Sequence, residues 1–336
     1  MAHETSIHEA SFFERLERGK VRCLLCPHRC VIAEGNSGIC GARTNRGGIL
    51  VSDIYGQVSA IAMDPIEKKP LYHFHPGSQI LSIGTKGCNL KCPYCQNWHI
   101  SQDLMARTAY HSPESIVETA VREGSVGIAY TYSEPIIWYE YVRDTAERAC
   151  DKGLKNVLVT NGYINTEPLR DLLPLISAMN IDLKSFREDT YKSVQKGGLN
   201  EVLAAIKQAH DARCHIEITT LIVTGMNDRL EEMRDIIDFI ASINPDIPWH
   251  ISRYYPNYCY DRHATDVSFM MKVHEEAEKK LNFVYCGNVP TGSRGHDTLC
   301  PSCHEVVITR SGYWTRIVNL KGATCGSCGH DLPIVR

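Results

Sequence analysis

Between about residues 81 and 287, short apolar runs alternate with amphipathic stretches. Apolar runs rich in β-branched residues are typical of parallel strands covered on both faces, whereas amphipathic stretches are typical of surface helices. The pattern predicts strands at 81–85, 126–131, 156–160, 179–183, 215–223, 248–255 and 282–286. It predicts intervening helices at 113–123, 134–151, 166–177, 199–211, 228–242 and 266–280.

This alternation predicts an α/β fold built from about six β/α units, fewer than the eight of a closed barrel. We therefore expect a partial (β/α)6 barrel that is open on one side. Such a gap would admit a large substrate. Parallel α/β folds place their sites at the carboxyl ends of the strands, so candidate chemistry is expected there.

The two ends of the chain do not follow the pattern. We predict a cysteine-rich N-terminal segment at 1–77, the partial barrel at 78–290, and a zinc-ribbon or rubredoxin-like segment at 291–336. Segments this short rarely build a sufficient hydrophobic core, so metal-stapled appendages are expected.

Charge and hydropathy narrow the class of protein. The chain has 36 Lys and Arg against 39 Asp and Glu, a net charge of −3, without a long block of either sign. This balance argues against binding to nucleic acid or to an anionic membrane. The first residues lack the apolar core of a signal peptide, and no apolar run approaches the roughly 18 residues of a membrane span. We expect a cytoplasmic protein.

Cysteine is the unusual component, with 15 in the chain. In a cytosolic protein, grouped cysteines are more often metal ligands than disulfides. Eleven of them fall into three groups: Cys23, Cys26, Cys30 and Cys40; Cys88, Cys92 and Cys95; and Cys300, Cys303, Cys325 and Cys328.

The central group lies in GTKGCNLKCPYCQNWHIS, residues 84–101, directly after a predicted strand. Thiolates are soft donors that suit iron–sulfur clusters. Three cysteines spaced C-x3-C-x2-C would leave one iron of a four-iron cubane open to a bound molecule. The alternative is a zinc knuckle completed by His99, which does not need a strand–loop–helix context.

This spacing, with Tyr94 directly before the last cysteine, resembles the radical SAM superfamily. The resemblance implies that Cys88, Cys92 and Cys95 are the catalytic cluster ligands. It implies that S-adenosylmethionine chelates the open iron and is cleaved reductively. The product would be a 5′-deoxyadenosyl radical that abstracts hydrogen from a substrate.

Three later strand ends resemble the activating-enzyme branch of that superfamily: TYSE at 131–134, TNG at 160–162 and DLK at 182–184. The resemblance implies that Glu134 binds the methionine amino group and Lys184 its carboxylate. Asp182 would organise that carboxylate, with a possible monovalent cation. The implied cofactor contacts are Tyr94, Thr131, Tyr132, Ser133, Glu134, Thr160, Asn161, Asp182 and Lys184.

For each of the two outer cysteine groups, the sequence is compatible with either zinc or an iron centre. The N-terminal spacing C-x2-C-x3-C-x9-C suits zinc or an auxiliary iron–sulfur cluster equally. The C-terminal group has two C-x2-C knuckles about 20 residues apart, as in a zinc ribbon or rubredoxin. We favour zinc there as a structural staple, whereas iron in the same cage could relay electrons.

The whole chain resembles the radical SAM enzymes of the AmmeMemoRadiSam system, which are relatives of pyruvate formate-lyase activating enzyme. The shared features are the Cys-x2-Cys-Pro-His-x-Cys amino end, the CNLKCPYCQNW loop and the C-terminal cysteine ribbon. The resemblance implies Memo-like and AMMECR-type protein partners and an electron donor of flavodoxin or ferredoxin type.

Our leading hypothesis is hydrogen abstraction from a protein or peptide residue, because the barrel is open and the resemblance is to activating enzymes. A second hypothesis keeps the chemistry but takes a small metabolite as substrate. A third is a non-catalytic electron carrier or metal scaffold. A zinc-based nucleic-acid binder is disfavoured by the acidic balance.

Overall fold

The computed structural model describes residues 8–290 and 294–336. A central sheet contains eight strands, which in chain order are β1 Ala60–Pro65, β2 Gln79–Gly84, β3 Gly127–Tyr130, β4 Lys155–Thr160, β5 Ala178–Asp182, β6 His215–Ile222, β7 Trp249–Arg253 and β8 Val284–Gly287. The connecting helices are α1 Pro113–Arg122, α2 Tyr139–Asp151, α3 Thr166–Leu172, α4 Leu199–Asp211, α5 Leu230–Ile243 and α6 Val267–Ala277. The predicted α/β fold is confirmed.

The spatial order of the strands follows the sequence, from β1 at one edge to β8 at the other. Strands β2 to β8 are all parallel, and β1 pairs antiparallel with β2. Within the described part of the chain, β1 and β8 do not pair with each other. Six β/α units followed by a last strand therefore form an open sheet, as the helix and strand count predicted.

Local sequence explains where the helices start and stop. Ser112 caps α1 by accepting a hydrogen bond from the Ser115 amide, and Pro113 occupies the first turn, where a missing amide costs nothing. Helix α3 is shorter than the predicted 166–177. It ends at Leu172 and continues as a 3-10 turn over Leu173–Leu175, because Pro174 has no amide to donate within an α-helix.

Strand β1 was not predicted. It lies in the segment assigned to the N-terminal appendage, yet its six residues pair with the whole of β2, from Ala60 opposite Gly84 to Pro65 opposite Gln79. The central sheet therefore recruits residues from before the predicted boundary at residue 78. The other predicted boundary, at residue 291, lies outside the described residues.

The appendages consist of short strands and turns. N-terminal strands lie at Phe13–Arg15, Val21–Cys23, Val31–Ile32, Arg43–Arg46, Ile49–Ser52 and Gln57–Val58, the last pairing with Ala109–Tyr110. C-terminal strands lie at Thr298–Leu299, Val306–Ser311, Trp314–Ile317, Leu320–Lys321 and Thr324–Cys325. The remaining short helical turns are Glu17–Gly19, Ile66–Lys68, Trp98–Ser101, Pro135–Trp138, Glu188–Thr190 and a π-helical turn at Tyr191–Gln195. Across both described ranges, no helix has the length and apolar character that crossing a bilayer requires.

The C-terminal segment packs against the last strand of the sheet and the stretch before β2. Tyr72 and Tyr285 share a buried apolar cluster with Cys300 and Ile334. Val335 bridges to Phe74 in parallel pairing. This second core explains how a segment of about 40 residues remains ordered: it uses apolar surface that the sheet supplies.

Candidate functional site

The central cysteine loop begins where β2 ends, and two glycines fix its path. A Cβ on Gly84 would lie 2.7 Å from the Thr131 carbonyl oxygen, so only glycine lets the ends of β2 and β3 approach this closely. Gly87 has a φ of +93°, and a Cβ there would lie 2.6 Å from the Cys40 carbonyl oxygen. The loop is therefore held between the next strand and the N-terminal appendage.

Polar hydrogens surround the sulfurs of this loop. The Leu90 amide donates to Cys88 Sγ at 3.3 Å, and Ser101 Oγ lies 3.1 Å from Cys95 Sγ. The Asn161 side-chain nitrogen Nδ2 lies 3.8 Å from Cys88 Sγ. Hydrogen bonds of this kind stabilise thiolates that ligate iron–sulfur clusters and help to set their potential.

Glu134 lies at the carboxyl end of β3 and is almost fully buried. Its Oε1 accepts from Thr160 Oγ1 at 2.6 Å and from the Ile136 amide at 3.0 Å, and its Oε2 accepts from the Asn161 amide at 2.8 Å. Burial raises the pKa of Glu134 to about 7, although these hydrogen bonds oppose the shift. The carboxylate thus joins the ends of β3 and β4 beside Cys88.

Asp182 and Lys184 follow the end of β5 and form an ion pair, with Nζ and Oδ2 3.0 Å apart. Both side chains act electrostatically on the Cys92 sulfur. Burial disfavours the charged form of Lys184, but Asp182 and Cys92 outweigh this effect and hold the pKa of Lys184 well above its ordinary value. Lys184 therefore supplies a positive charge next to the cysteine loop.

The side chains of the TYSE stretch point in different directions. Tyr132 has a φ of +66° and donates its hydroxyl hydrogen to Asp64, so its ring belongs to a separate ionic cluster with Lys69. Its carbonyl oxygen accepts from the Asn97 side chain, which follows the cysteine loop. Ser133 Oγ is buried, and no described residue bonds to it. Thr131 is also buried at the end of β3. Of Tyr132, the backbone carbonyl contacts the segment after the cysteine loop and the side chain points away from it.

The structure adds residues that the sequence did not single out. Asn89 Oδ1 accepts from the Asn161 side chain at 2.9 Å, and Asn89 Nδ2 donates to the Tyr163 carbonyl at 2.8 Å. These bonds tie the cysteine loop to the end of β4. Gln195, in the π-helical turn, donates to the Tyr94 hydroxyl at 3.0 Å. A π-helical turn has no distinct sequence pattern, so nothing in the sequence marks Gln195.

The C-terminal cysteines form a compact cage. The sulfurs of Cys300, Cys303, Cys325 and Cys328 all lie within 4.8 Å of one another. Cys300 and Cys328 sulfurs are 3.6 Å apart, and those of Cys303 and Cys325 are 3.7 Å apart. A tetrahedral ion with metal–sulfur bonds of about 2.3 Å requires sulfur–sulfur distances of about 3.8 Å. The cage therefore fits one zinc or iron ion.

Comparisons with known proteins agree with this geometry. A sequence model described as the Radical SAM superfamily matches residues 82–240, which contain the cysteine loop and the Glu134, Asn161 and Lys184 positions. A protein of Methanocaldococcus jannaschii named as uncharacterized is 42% identical over 336 residues, covering 98% of this chain and 100% of the relative. The chain belongs to the radical SAM superfamily.

Other similar proteins are more distant. A second M. jannaschii protein, provisionally named a glycyl-radical enzyme activating enzyme, is 24% identical over 250 residues, covering 70% of this chain and 87% of that protein. The crystal structure of Streptococcus suis SuiB bound to S-adenosylmethionine aligns with a TM-score of 0.50 at 14% identity, covering 63% of this chain and 52% of that one. The second likeness shows a shared fold.

Membership of the radical SAM superfamily implies a [4Fe–4S] cluster and S-adenosylmethionine. The residues present fit both groups. Three thiols, two of them with nearby polar hydrogens, suit a cluster that keeps an open iron. The carboxylate of Glu134, the cation of Lys184 and the unpartnered hydroxyl of Ser133 suit a ligand that carries both an ammonium and a carboxylate.

Proposed function

We propose that this protein is an activating-enzyme-like radical SAM enzyme that abstracts a hydrogen atom from a residue of a protein or peptide. When bound, the [4Fe–4S] cluster and S-adenosylmethionine supply the one-electron chemistry that generates a 5′-deoxyadenosyl radical. On this proposal the protein is an oxidoreductase. Its own residues hold the cofactor, orient it and exclude water.

One observation carries the proposal: the ends of β3 and β5 place opposite charges, Glu134 and Lys184, around the three cysteines. Cys88, Cys92 and Cys95 would hold the cluster, and Glu134 would accept a hydrogen bond from the methionine ammonium. Lys184 would neutralise the methionine carboxylate. Such charge-assisted contacts are strong in a buried site, because few water molecules compete for them.

An exposed aromatic pair beside the loop supports a macromolecular substrate. Trp98, three residues after Cys95, stacks on Tyr258 with ring centroids 5.2 Å apart and planes 14° apart. They are 41% and 45% exposed. The loop that carries Tyr258 touches the cysteine loop, since the Cys259 amide donates to the Pro93 carbonyl. Exposed aromatic side chains are the residues that most often anchor a polypeptide partner.

The proposed partners follow from the resemblance to the radical SAM enzymes of the AmmeMemoRadiSam system. A low-potential, one-electron donor of flavodoxin or ferredoxin type would reduce the cluster. Memo-like and AMMECR-type proteins are the first candidates for substrate or complex partner. Asp182, Thr160 and Asn161 would position Lys184 and Glu134, and a monovalent cation next to Asp182 would assist binding of the carboxylate.

The test uses anaerobic, reduced protein with S-adenosylmethionine and a candidate protein, with 5′-deoxyadenosine as the readout. We expect the true substrate to stimulate its formation. Trp98→Ala with Tyr258→Ala should lower that stimulation by about tenfold, equivalent to about 1.4 kcal/mol of lost contact, and leave the uncoupled reaction unchanged. Trp314→Ala, at a ribbon position that is 86% exposed, is the matched control.

Each other outcome favours a named alternative. Stimulation by a small metabolite but by no macromolecule would replace the protein substrate with that metabolite. Cofactor binding and cleavage that survive both Glu134→Ala and Lys184→Met would favour an electron carrier or metal scaffold.

A further inference from the structure

The four N-terminal cysteines lie together in the fold. Cys23 ends a strand, and its amide donates to the Cys30 carbonyl at 3.0 Å. The Cys26 sulfur lies within electrostatic range of the sulfurs of Cys23, Cys30 and Cys40. Cys23, Cys26 and Cys40 are buried, and Cys30 is partly buried. Residues separated by up to 17 positions thus present four thiols to one buried volume.

A buried arginine lies beside these thiols. The buried Arg43 donates to Cys23 Sγ at 3.4 Å and pairs with the buried carboxylate of Glu140. Arg43 therefore places one positive charge beside this cysteine group, and Glu140 holds that charge in position.

The sulfur spacing separates this group from the C-terminal cage. Among the described residues, which include all four N-terminal cysteines, the C-terminal set is the one whose sulfurs lie mutually within 4.8 Å. The sulfurs of Cys88, Cys92 and Cys95 likewise do not all lie within 4.8 Å of one another. In a cubane each thiolate binds a different iron, so its sulfurs must lie farther apart than four sulfurs around a single ion.

We infer that Cys23, Cys26, Cys30 and Cys40 hold a second [4Fe–4S] cluster in which all four irons carry a cysteine ligand. The central loop differs because its three cysteines leave one iron open. A fully capped cluster has no site for S-adenosylmethionine, so its role is to transfer electrons.

The N-terminal group contacts the central loop on both sides of Cys88. The Cys40 carbonyl packs against Gly87, and His28 Nε2 lies 2.7 Å from the Asn89 carbonyl oxygen. A short path of covalent and hydrogen bonds therefore joins Cys26 to Cys88 through His28. In the transfer step, one electron leaves the N-terminal cluster and enters the central one, and no bond is broken. A low-potential protein donor restores the electron. This step rests on the proposed function, whereas the presence of the second cluster does not.

The test counts iron and acid-labile sulfide in anaerobically reconstituted full-length protein. Two cubanes give about eight of each per chain, four per cluster. Cys26→Ala with Cys30→Ala should lose about half of both. The matched C-terminal change, Cys303→Ala with Cys328→Ala, should leave sulfide unchanged.

A triple variant, Cys88→Ala with Cys92→Ala and Cys95→Ala, isolates the N-terminal site. It should retain about four irons and four sulfides and, once reduced, give the EPR signal of a [4Fe–4S] cluster that S-adenosylmethionine does not change. The doubly reduced wild-type protein should give a broader spectrum than the sum of the single-cluster variants, because adjacent paramagnets interact.

Zinc without sulfide in the triple variant, or about two irons and two sulfides, would overturn the inference. Additive spectra would overturn the proposed electron transfer between the two clusters. Failure of the proposed function looks different: the second cluster would be present, but S-adenosylmethionine would leave the central cluster's spectrum unchanged.

Discussion

The two cysteine-rich appendages dock at opposite ends of the strands. The N-terminal appendage touches the carboxyl ends, where Cys40 packs on Gly87 and His28 meets Asn89. The C-terminal ribbon contacts the segment before β2 and the start of β8, where Val335 bridges to Phe74. Each appendage has four cysteines, so cysteine count alone does not distinguish them. Their position relative to the sheet does.

A buried polar network marks the ribbon's end of the sheet. Glu217, near the start of β6, accepts from the amides of Tyr72 and His73 at 2.9 and 2.7 Å and lies 2.6 Å from His250 Nε2. Arg310 of the ribbon donates to the Tyr72 carbonyl at 2.8 Å. This end joins chain segments through fully buried polar groups. The opposite end holds the cysteine loop. We therefore expect changes at one end to affect chemistry and changes at the other to affect stability.

The largest expected contrast is between Cys95→Ala and Cys303→Ala. Cys95→Ala should lower S-adenosylmethionine cleavage by more than about 1,000-fold, because an iron of the central cluster loses its ligand. Cys303→Ala should keep cleavage within about threefold, because distant sites act independently. The measurement is 5′-deoxyadenosine formed by reduced protein. Equal losses in both variants would show that the two ends are not separate.

The next effect is on stability at the ribbon's end. Burial raises the pKa of Glu217, but hydrogen bonds from His215 and His250 outweigh it and hold the pKa well below its ordinary value. Glu217→Gln should lower the free energy of unfolding by about 3 kcal/mol, because buried donors lose an ionised acceptor. Denaturant titration measures this. Glu123→Gln, at an exposed surface pair, is the control and should change it by less than about 0.5 kcal/mol.

A smaller loss of stability is expected when the pH is lowered. Burial lowers the pKa of His73 to about 3, despite the opposing field of Glu217. Because this folded value lies below the unfolded value near 6.5, the folded protein binds fewer protons, and stability is lost as pH falls below 6.5. Between pH 7 and pH 5 the loss should be about 2 kcal/mol.

His73→Gln isolates this contribution. The variant is expected to be less stable at neutral pH, since it loses the 2.6 Å contact between His73 Nε2 and the Tyr285 hydroxyl. Its unfolding free energy should change less between pH 7 and pH 5 than that of the wild type. Parallel pH profiles for the two proteins would contradict the assignment to His73.

The smallest effect is on cofactor affinity at the cysteine end. Lys184→Met should raise the dissociation constant of S-adenosylmethionine about tenfold, because the methionine carboxylate loses its cation partner. Titration of the reduced protein followed by EPR measures it. Lys192→Met, at an exposed position in the same stretch, should leave the constant unchanged. An unchanged constant in Lys184→Met would remove Lys184 from the site.

Much of the fold could be predicted from local patterns. The seven parallel strands and six helices each have an apolar run or an amphipathic period, and capping residues such as Ser112 mark starts. Strand β1 was not predicted, because its sequence, AIAMDP, has no clear alternation of apolar and polar residues. It is a strand because its backbone pairs with β2, a contact between segments that periodicity does not record.

The candidate site also contains residues that the sequence predicted and residues that only the structure identified. The C-x3-C-x2-C loop and the Glu134, Asn161 and Lys184 positions were predicted from motifs at strand ends, and the structure brings them together. Asn89 and Gln195 were not predicted, because each forms its hydrogen bond with a residue more than 70 positions away. Such a partner becomes visible only after the strands are aligned.

By itself, the sequence determined the order of strands and helices, the three cysteine groups and the chemistry that their thiols can support, because these depend on residue type and short spacing. Only the tertiary structure decided which end of the sheet each appendage occupies and how widely each set of sulfurs is spaced. It also decided that β1 forms one edge of the sheet. These features depend on contacts between distant segments, where packing and burial outweigh local preference.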